Sequence, residues 1–236
     1  MPGGARDYVW RHFLSEKTLQ MMGDMRQQFL QLLQGIGFTE TPGGGRGRRT
    51  GDPAFDDNSE DLTLVKAVLC SGLYPNVVTV KNAKRRAKLM TEEDGKVECH
   101  PSSVNASVSQ FTTNFLVYSE KVKTSSIFIR NSTMVSDYAL LLFGGALRPG
   151  PEPGTFTMGR GNLVFTAGQG VATLVQELRA RLDALLERKI ATPTMDLVRE
   201  GGGIVKAVRA LLAEPAQVGA HPHDSRHPDG DRAYHG

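Results

Sequence analysis

The chain has few cysteines and no long apolar run, and both absences exclude classes of protein. Among its 236 residues only Cys70 and Cys99 carry a thiol, too few for a disulfide framework or a zinc site with four thiolates. No stretch approaches about 18 uninterrupted apolar residues, so the sequence predicts no transmembrane helix and no membrane partner. The first ten residues lack the apolar run of a signal peptide. We therefore expect an intracellular protein, in the cytoplasm rather than the nucleus.

An excess of charge of one sign is also lacking. The chain has 28 Lys and Arg against 25 Asp and Glu, which gives a formal net charge of +3. This balance excludes a histone-like polycation, although it leaves room for a local basic patch. Hydrophobic residues make up 39% of the chain, which is enough for a core, and the length suits one large or two small domains.

The motifs of common nucleotide and hydrolase sites are missing. A P-loop requires G-x-x-x-x-G-K-[ST], and the only Gly-Lys pair, Gly95-Lys96, is followed by Val97. Neither H-E-x-x-H nor G-x-S-x-G occurs. Four of the six histidines fall in the C-terminal tail, where a solvated tail is favoured over a weak metal site. We predict that this chain alone does not hydrolyse ATP and has no catalytic residue, metal or cofactor.

The hydrophobic pattern and the turn residues divide the chain into five regions. Apolar residues recur at three- and four-residue spacing after Ser15, a suitable N-cap, and again over 170–190. Gly- and Pro-rich stretches between and after these segments cannot offset their ordering entropy. The predicted regions are a helix with its lead-in (6–38), a flexible Gly/Arg-rich linker (39–58), a barrel domain with a leading helix (59–147), a C-terminal hairpin with helices (148–213) and a disordered tail (214–236).

The leading helix is predicted over 59–73, with Ser59 and Asp61 as cap residues. Its residue Cys70 is expected to be a small buried hydrophobe. Helical spacing places four larger apolar side chains on one face, namely Leu62, Val65, Val68 and Leu69. Further predicted elements are a short apolar segment (136–143), a hairpin (155–158 with 161–166) and two helices (170–190 and 203–213).

The middle of the chain is rich in β-strand patterns. Asp94-Gly95 predicts a hairpin turn, because Gly tolerates the positive φ that such turns need. Short strands with long loops fit an α+β fold, a five-stranded OB-fold-type β-barrel flanked by N-terminal and C-terminal helices. Periodicity alone also allows a generic sandwich. The predicted strands are 76–81, 87–92, 96–100, 114–122 and 125–131.

Polar and basic residues cluster in this β-rich part. The segment 100–105 packs an imidazole, two hydroxyls and a carboxamide into one loop, groups that can read base edges or backbone oxygens of a single strand. On composition alone, caps for the loop's own backbone are favoured. Thr124-Ser125-Ser126 invites the same two interpretations. Phe128 can stack on a base, but strand alternation favours the core. The basic run 81–88, which fits a solvated face equally well, contains Lys81, Lys84, Arg85, Arg86 and Lys88. Lys121, Lys123 and Arg130 follow on two later strands.

Three strings in this part resemble a known family. LVKAVLCSGLYPNVV, HPSSVN and FLVYSEKVKTSSIFIRNSTMVSDYALLLFGG are similar to the C-terminal OB fold of DEAH/RHA-type ATP-dependent RNA helicases. The leading YVWRHFLSEKTLQMMGDMRQQFLQLLQGIGF resembles the last part of their helical ratchet domain. The resemblance continues through LVQELRARLDALLERKI and TPTMDL and covers 6–212. It is greatest to the member that also carries RWD, CCCH zinc-finger and ubiquitin-associated domains.

The resemblance implies a role for the chain. In such helicases two RecA-like lobes hydrolyse ATP with magnesium, while the ratchet and OB fold close over single-stranded RNA. This chain lacks both lobes, so the resemblance implies a fragment of a longer helicase, with those lobes and a glycine-patch activator as further partners. The RNA contacts that carry over by position are His100, Ser102, Ser103, Asn105, Lys123, Thr124, Ser125 and Arg130, and the basic pattern adds Lys121.

Two functions follow as hypotheses. The first is a single-stranded RNA-binding accessory module that grips RNA through 100–105 and 121–130 while the absent motor hydrolyses ATP. The second is a protein-interaction module that docks on the helicase lobes or the activator through the helices 15–36 and 170–190.

Overall fold

In a computed structural model of the protein, the described residues are 4–39, 58–161, 163–214 and 219–222. They divide into two compact units, and each is described by itself. The first unit contains 4–39, 58–60 and 185–201, and the second contains the remainder. The predicted linker lies outside the described residues except at its two ends. Within the described part of the chain, no helix has the length and apolar character needed to cross a membrane.

The first unit begins with two helices, α1 (Ala5–Arg11) and α2 (Glu16–Gly35), where the sequence predicted one helix with a lead-in. The chain breaks at Phe13, which adopts a left-handed φ of 52°. Ser15 then caps α2 by accepting a hydrogen bond from the Thr18 backbone N–H at 3.2 Å, as predicted. No residue of α2 is buried, so its apolar face has no cover among the described residues.

The second unit begins with α3 (Leu62–Leu73), whose N-cap is Asp61. The apolar face predicted on this helix is turned to solvent, and Val68, for example, is 57% exposed. The opposite face is buried, because the small side chains of Ala67 and Cys70 pack on the helix α4 (Asp137–Phe143). Cys70 is therefore a small buried hydrophobe, as expected.

The centre of the second unit is a curled sheet of seven strands, where the sequence predicted five. The predicted strand 114–122 is two strands, because the chain changes partner at Tyr118 and Ser119. The first half, 115–117, pairs with two strands at one end of the sheet. The second half, 120–123, pairs with a strand at the other end. Since only two residues join the first and sixth strands of the order, the sheet must curl back on itself. In the order β5-β6-β3-β2-β1-β4-β7, the strands are β1 (Val77–Lys81), β2 (Lys88–Thr91), β3 (Gly95–Cys99), β4 (Phe115–Val117), β5 (Glu120–Lys123), β6 (Ile127–Arg130) and β7 (Thr133–Val135).

One pair of strands in this sheet is parallel. β3 runs parallel to β6, with Glu98 opposite Phe128, while the other pairs are antiparallel. The strands β1, β3 and β6 consequently end on the same side. We call this side the His100 edge, and it carries the loops 82–87 and 100–107. The opposite side, the hairpin edge, carries the turns 92–94 and 124–126. Gly95, which directly follows the turn 92–94, has a φ of 69°, and the predicted Asp94-Gly95 hairpin is confirmed.

The C-terminal part of the second unit adds a smaller antiparallel sheet in the order β11-β10-β9-β8. The predicted hairpin is confirmed by the pairing of β9 with β10. The tail, predicted to be disordered, contains a strand at Gly219–Pro222 that pairs with β10, so the prediction is wrong there. The other tail residues after 214 lie outside the described residues. The elements are β8 (Arg148–Pro149), β9 (Thr155–Met158), β10 (Leu163–Thr166), α5 (Gln169–Ala191), α6 (Leu197–Ala213) and β11 (Gly219–Pro222).

Candidate nucleic-acid interface

An exposed basic loop forms one part of the His100 edge. It connects β1 to β2 and is held against the loop 100–107 and the segment that follows that loop. The Arg86 guanidinium donates a hydrogen bond to the Ala106 carbonyl at 2.6 Å. The Asn82 carboxamide bonds Phe111 twice, through its Nδ2 to the carbonyl at 2.7 Å and its Oδ1 to the N–H at 3.0 Å. The cationic side chains of this basic loop and its flanks are all exposed, namely Lys81, Lys84, Arg85, Arg86 and Lys88.

His100 stands beside this loop, directly after β3. Its backbone N–H donates to the Ile129 carbonyl at 2.9 Å, which continues the parallel pairing. Its Nε2 lies 3.0 Å from Nη2 of Arg130 and its Nδ1 lies 2.7 Å from Oγ of Ser102. A guanidinium only donates, so Nε2 accepts from Arg130, while the Ser102 backbone N–H donates to Nδ1 at 3.2 Å. The ring is thus held between a cation and a hydroxyl, with Phe128 edge-on at 5.8 Å.

Two further predicted contacts stabilise the loop itself. Ser103 Oγ accepts from the Asn105 backbone N–H at 3.3 Å and begins a 3-10 turn at Val104–Ser107. The Asn105 amide nitrogen donates to the carbonyl and the hydroxyl of Ser132 at 2.8 and 2.9 Å. Because Asn105 is 9% exposed and both donors are used, it anchors the loop to the chain after β6. Ser102 is exposed, so its hydroxyl is accessible to a ligand.

Arg130 is only partly satisfied. Besides the contact with His100, its Nη1 lies 4.0 Å from the Glu120 carboxylate. Its Nε is buried and has no hydrogen-bond partner among the described residues. The side chain is 42% exposed, so the guanidinium can still meet an anion from solvent.

Lys121 is fully engaged inside the protein. Its ammonium pairs with Glu93 at 2.8 Å and with Asp94. The hydrogen bonds to Asp94 and then Glu93 raise the pKa of Lys121 well above its ordinary value, and the same bond to Lys121 lowers the pKa of Asp94. This predicted RNA contact therefore ties β5 to the turn 92–94.

The remaining predicted contacts lie at the hairpin edge. Lys123, Thr124 and Ser125 are exposed at the turn between β5 and β6. Within the described part of the chain Lys123 forms no ion pair, while Thr124 Oγ1 donates weakly to the Ser126 carbonyl at 3.4 Å. A strand rises about 3.3 Å per residue, so the length of β6 separates the two edges by roughly 10–13 Å. The structure thus divides the predicted contacts into two groups.

Sequence reasoning missed the contact between the basic loop and the loop 100–107. The sequence feature that could have indicated this contact is the number of cations in 81–88, but their spacing does not show which loop they approach. Stacking platforms are few, because Phe111 and Tyr118 are buried in the core of the curled sheet. Phe128 is half-buried and packs on His100.

Two protein-family models match the chain. One is described as an oligonucleotide/oligosaccharide-binding (OB)-fold and matches residues 65–147. The other is described as the C-terminal domain in RNA helicases and matches residues 156–214. The OB-type α+β fold expected from the sequence is confirmed, with a larger number of strands.

Curated relatives match the same part of the chain. The DExH-box ATP-dependent RNA helicase DExH1 of Arabidopsis thaliana is 47% identical over 89% of this chain and 20% of its own length. The ATP-dependent DNA/RNA helicase DHX36 of Homo sapiens is 39% identical over 80% of this chain and 19% of its own length. DExH3 of Arabidopsis thaliana is 36% identical over 88% of this chain and 16% of its own length. The chain spans about a fifth of the length of these relatives or less.

Proposed function

Because this chain belongs to the DExH-box RNA helicases, whose OB fold and C-terminal domain it carries, we propose that it is an accessory module that binds single-stranded RNA. The ATP-driven RecA-like lobes of a longer helicase supply the work, with ATP and magnesium bound there. One observation carries this proposal. At the His100 edge, an exposed basic loop is joined through Arg86 to the loop that presents Ser102 and the His100–Arg130 pair.

The chemistry of this edge suits a sequence-tolerant grip on RNA. Lysine and arginine side chains bind phosphates and release counterions, which gives affinity without reading bases. The Ser102 hydroxyl can bond a sugar or a base edge. The exposed Lys123 and Ser125 extend the contact to the hairpin edge, within the site sizes of about 4–16 nucleotides that OB folds use.

A double substitution in the basic loop tests this proposal. Replacing Lys84 and Arg85 by Gln removes two cations without disturbing the hydrogen bond of Arg86. We expect weaker binding to a fluorescein-labelled oligouridylate, measured by anisotropy over a series of salt concentrations. The slope of log K against log salt should become shallower by roughly 1.4, which is about 0.7 for each lost phosphate contact.

The matched control removes two lysines on helices of the second unit, Lys66→Gln with Lys206→Gln, and therefore changes the net charge equally. We expect affinity and slope close to those of the unaltered chain. Equal loss in both double variants would show general electrostatic attraction, and no loss in either would contradict RNA binding at the His100 edge.

Lys121 and Lys123 should separate by role, although both were predicted as RNA contacts. Lys123→Gln should lower RNA affinity and the salt slope without changing the melting temperature, because Lys123 forms no ion pair in the described structure. Lys121→Gln should lower the melting temperature by a few degrees, since Glu93 and Asp94 lose their shared cation. Anisotropy and calorimetry on both variants measure the difference, and the reverse pattern would contradict these assignments.

A second function is favoured by α2. Leu19, Met22, Met25 and Phe29 of this helix are 42–59% exposed and form an apolar face. We propose that this face docks on the helicase lobes or on a glycine-patch activator. Size-exclusion chromatography with light scattering and an RNA titration separates the two functions. A monomer that binds RNA supports the first, and a chain that associates without binding RNA supports the second.

A further inference from the structure

A small pocket lies within the second unit, between the hairpin edge of the curled sheet and the turn that joins β9 to β10. Its volume is about 70 Å³, room for several water molecules. It also lies between the stretches matched by the two family models, and small ligands are often bound where two such regions meet. The wall residues that matter here are Tyr74, Asn76, Glu92, Glu93, Tyr118 and Gly159.

Tyr118 has an unused polar group in this wall. The residue is only 6% exposed. Its hydroxyl makes no hydrogen bond to any residue that the structure describes. Tyr118 lines the pocket, so this hydroxyl is available to a partner from outside the chain. Burial raises the pKa of Tyr118 above an ordinary value that is already well above physiological pH, so the hydroxyl is neutral there.

The polar side chains around Tyr118 include two carboxylates, a second phenol and the carboxamide of Asn76, which can donate as well as accept. Glu92 accepts the backbone N–H of Arg160 at 3.3 Å through one carboxylate oxygen and forms no ion pair within the described part of the chain. Glu93 is shared with Lys121. The Tyr74 hydroxyl already interacts with the backbone of Gly159. The pocket thus offers a free carboxylate oxygen and a phenol oxygen.

No cation near the pocket pairs with this carboxylate within the described residues, and one of these cations, Arg148, acts on Tyr74 and forms no ion pair there. Lys121 is occupied by Glu93 and Asp94. Arg179, which also acts on Tyr74, donates to carbonyls of α4 and pairs with Asp183. A phosphate or carboxylate ligand would therefore meet the negative charge of Glu92. A cation would meet complementary charge and two aromatic rings.

We propose that this pocket binds the guanidinium group of an arginine side chain presented by a partner protein. A guanidinium has five donors and no acceptor, which matches the carboxylate and phenol oxygens of the wall, and its planar face can stack on a tyrosine ring. The wall residues named above include none of the RNA contacts proposed at the His100 edge. The site gives this end of the fold a role in protein recognition.

The test uses the full 236-residue chain with isotope-labelled tyrosine rings, observed by NMR. The probe is Nα-acetyl-arginine methylamide, and its neutral control is the citrulline analogue, which has the same shape. We expect the arginine probe to shift the Tyr74 and Tyr118 signals saturably, with a dissociation constant on the order of millimolar for one side chain. The citrulline analogue should bind at least about tenfold more weakly.

Two variants make the result specific. Glu92→Gln should weaken binding of the arginine probe about tenfold, while Glu98→Gln, which alters an exposed carboxylate elsewhere on the sheet, should leave it unchanged. Tyr118→Phe keeps the buried ring and should weaken binding severalfold. Equal shifts from citrulline, unchanged affinity in Glu92→Gln and Tyr118→Phe, or displacement of the probe by uridine monophosphate would each overturn the proposal, the last by making the pocket a nucleotide site.

Discussion

Asp137 carries a buried carboxyl group whose protonation affects the stability of the fold. It lies in the first turn of α4 and is 1% exposed. Its side-chain hydrogen bond comes from the amide of Asn114 at 3.3 Å. Desolvation outweighs that bond and raises the pKa of Asp137 to about 6.

This pKa predicts how stability changes with pH. Between the ordinary value of 3.8 and about 6, the folded chain keeps the proton that the unfolded chain releases. The free energy of unfolding therefore falls as pH rises through this window, by roughly 2–3 kcal/mol, and levels off above it. Asp137→Asn should be more stable than the unaltered chain at pH 7, because its amide needs no ionisation. Urea unfolding at pH 4.5 and 7 measures both effects.

The control for this prediction is Asp24→Asn on the exposed surface of α2. It removes the same charge without altering a buried group, so its stability should follow that of the unaltered chain at both pH values. A lower stability of Asp137→Asn at pH 7 would show that the ionised carboxylate is needed at the start of α4.

At the scale of elements, Arg179 of α5 holds the end of α4. Its two terminal nitrogens donate to the carbonyls of Leu141 and Gly144 at 2.7 and 2.9 Å, and its Nε bonds Asp183 at 3.0 Å. The last carbonyls of a helix have no partner within the helix, so this side chain supplies one. The guanidinium joins two helices by a fork of donors that a lysine cannot reproduce.

Arg179→Ala and Arg179→Lys should both lower the free energy of unfolding, by about 1–3 kcal/mol, because buried carbonyls lose their donor. Arg181→Ala is the matched control. That side chain is exposed and pairs only with Glu177, so its loss should change stability by about 0.5 kcal/mol or less. Urea unfolding of the three variants measures the difference. A Lys variant as stable as the unaltered chain would show that charge alone suffices.

Local elements could be predicted from the sequence, but the contacts between distant elements could not. Ser15, Asp61 and Gly95 act on neighbours within three residues, so cap and turn rules found them. The face of α3 was not decided by hydrophobicity, because both faces are apolar and only the arrival of α4 selects the one with Ala67. Local sequence patterns could not predict the candidate site either. The His100–Arg130 contact joins positions 30 residues apart through a parallel pair that no periodicity indicates.

The same distinction explains the predicted RNA contacts. The loop at 100–105 could be recognised from its polar composition. Which of its residues face solvent and which anchor the loop could not be predicted, because Asn105 is held inward by a hydrogen bond to the distant Ser132. Lys121 likewise forms an ion pair within the protein because the turn 92–94 lies next to β5, which the sequence does not show.

At the scale of the whole molecule, the sequence contains no P-loop, and the chain spans about a fifth of the length of its relatives or less. We predict that the purified 236-residue chain releases no phosphate from ATP, with or without single-stranded RNA. A coupled phosphate-release assay measures this, and a longer helicase of the family is its positive control. Turnover above background that survives further purification would contradict the motif argument.

The stretch from β4 to β5 pairs with both ends of the curled sheet. A break at either end would pull on the residues that hold the other, so the strands are expected to open together rather than one after another. We therefore expect the fold to behave as a rigid spacer. A ligand bound at the His100 edge would then be kept at a constant distance from a ligand bound at the hairpin edge.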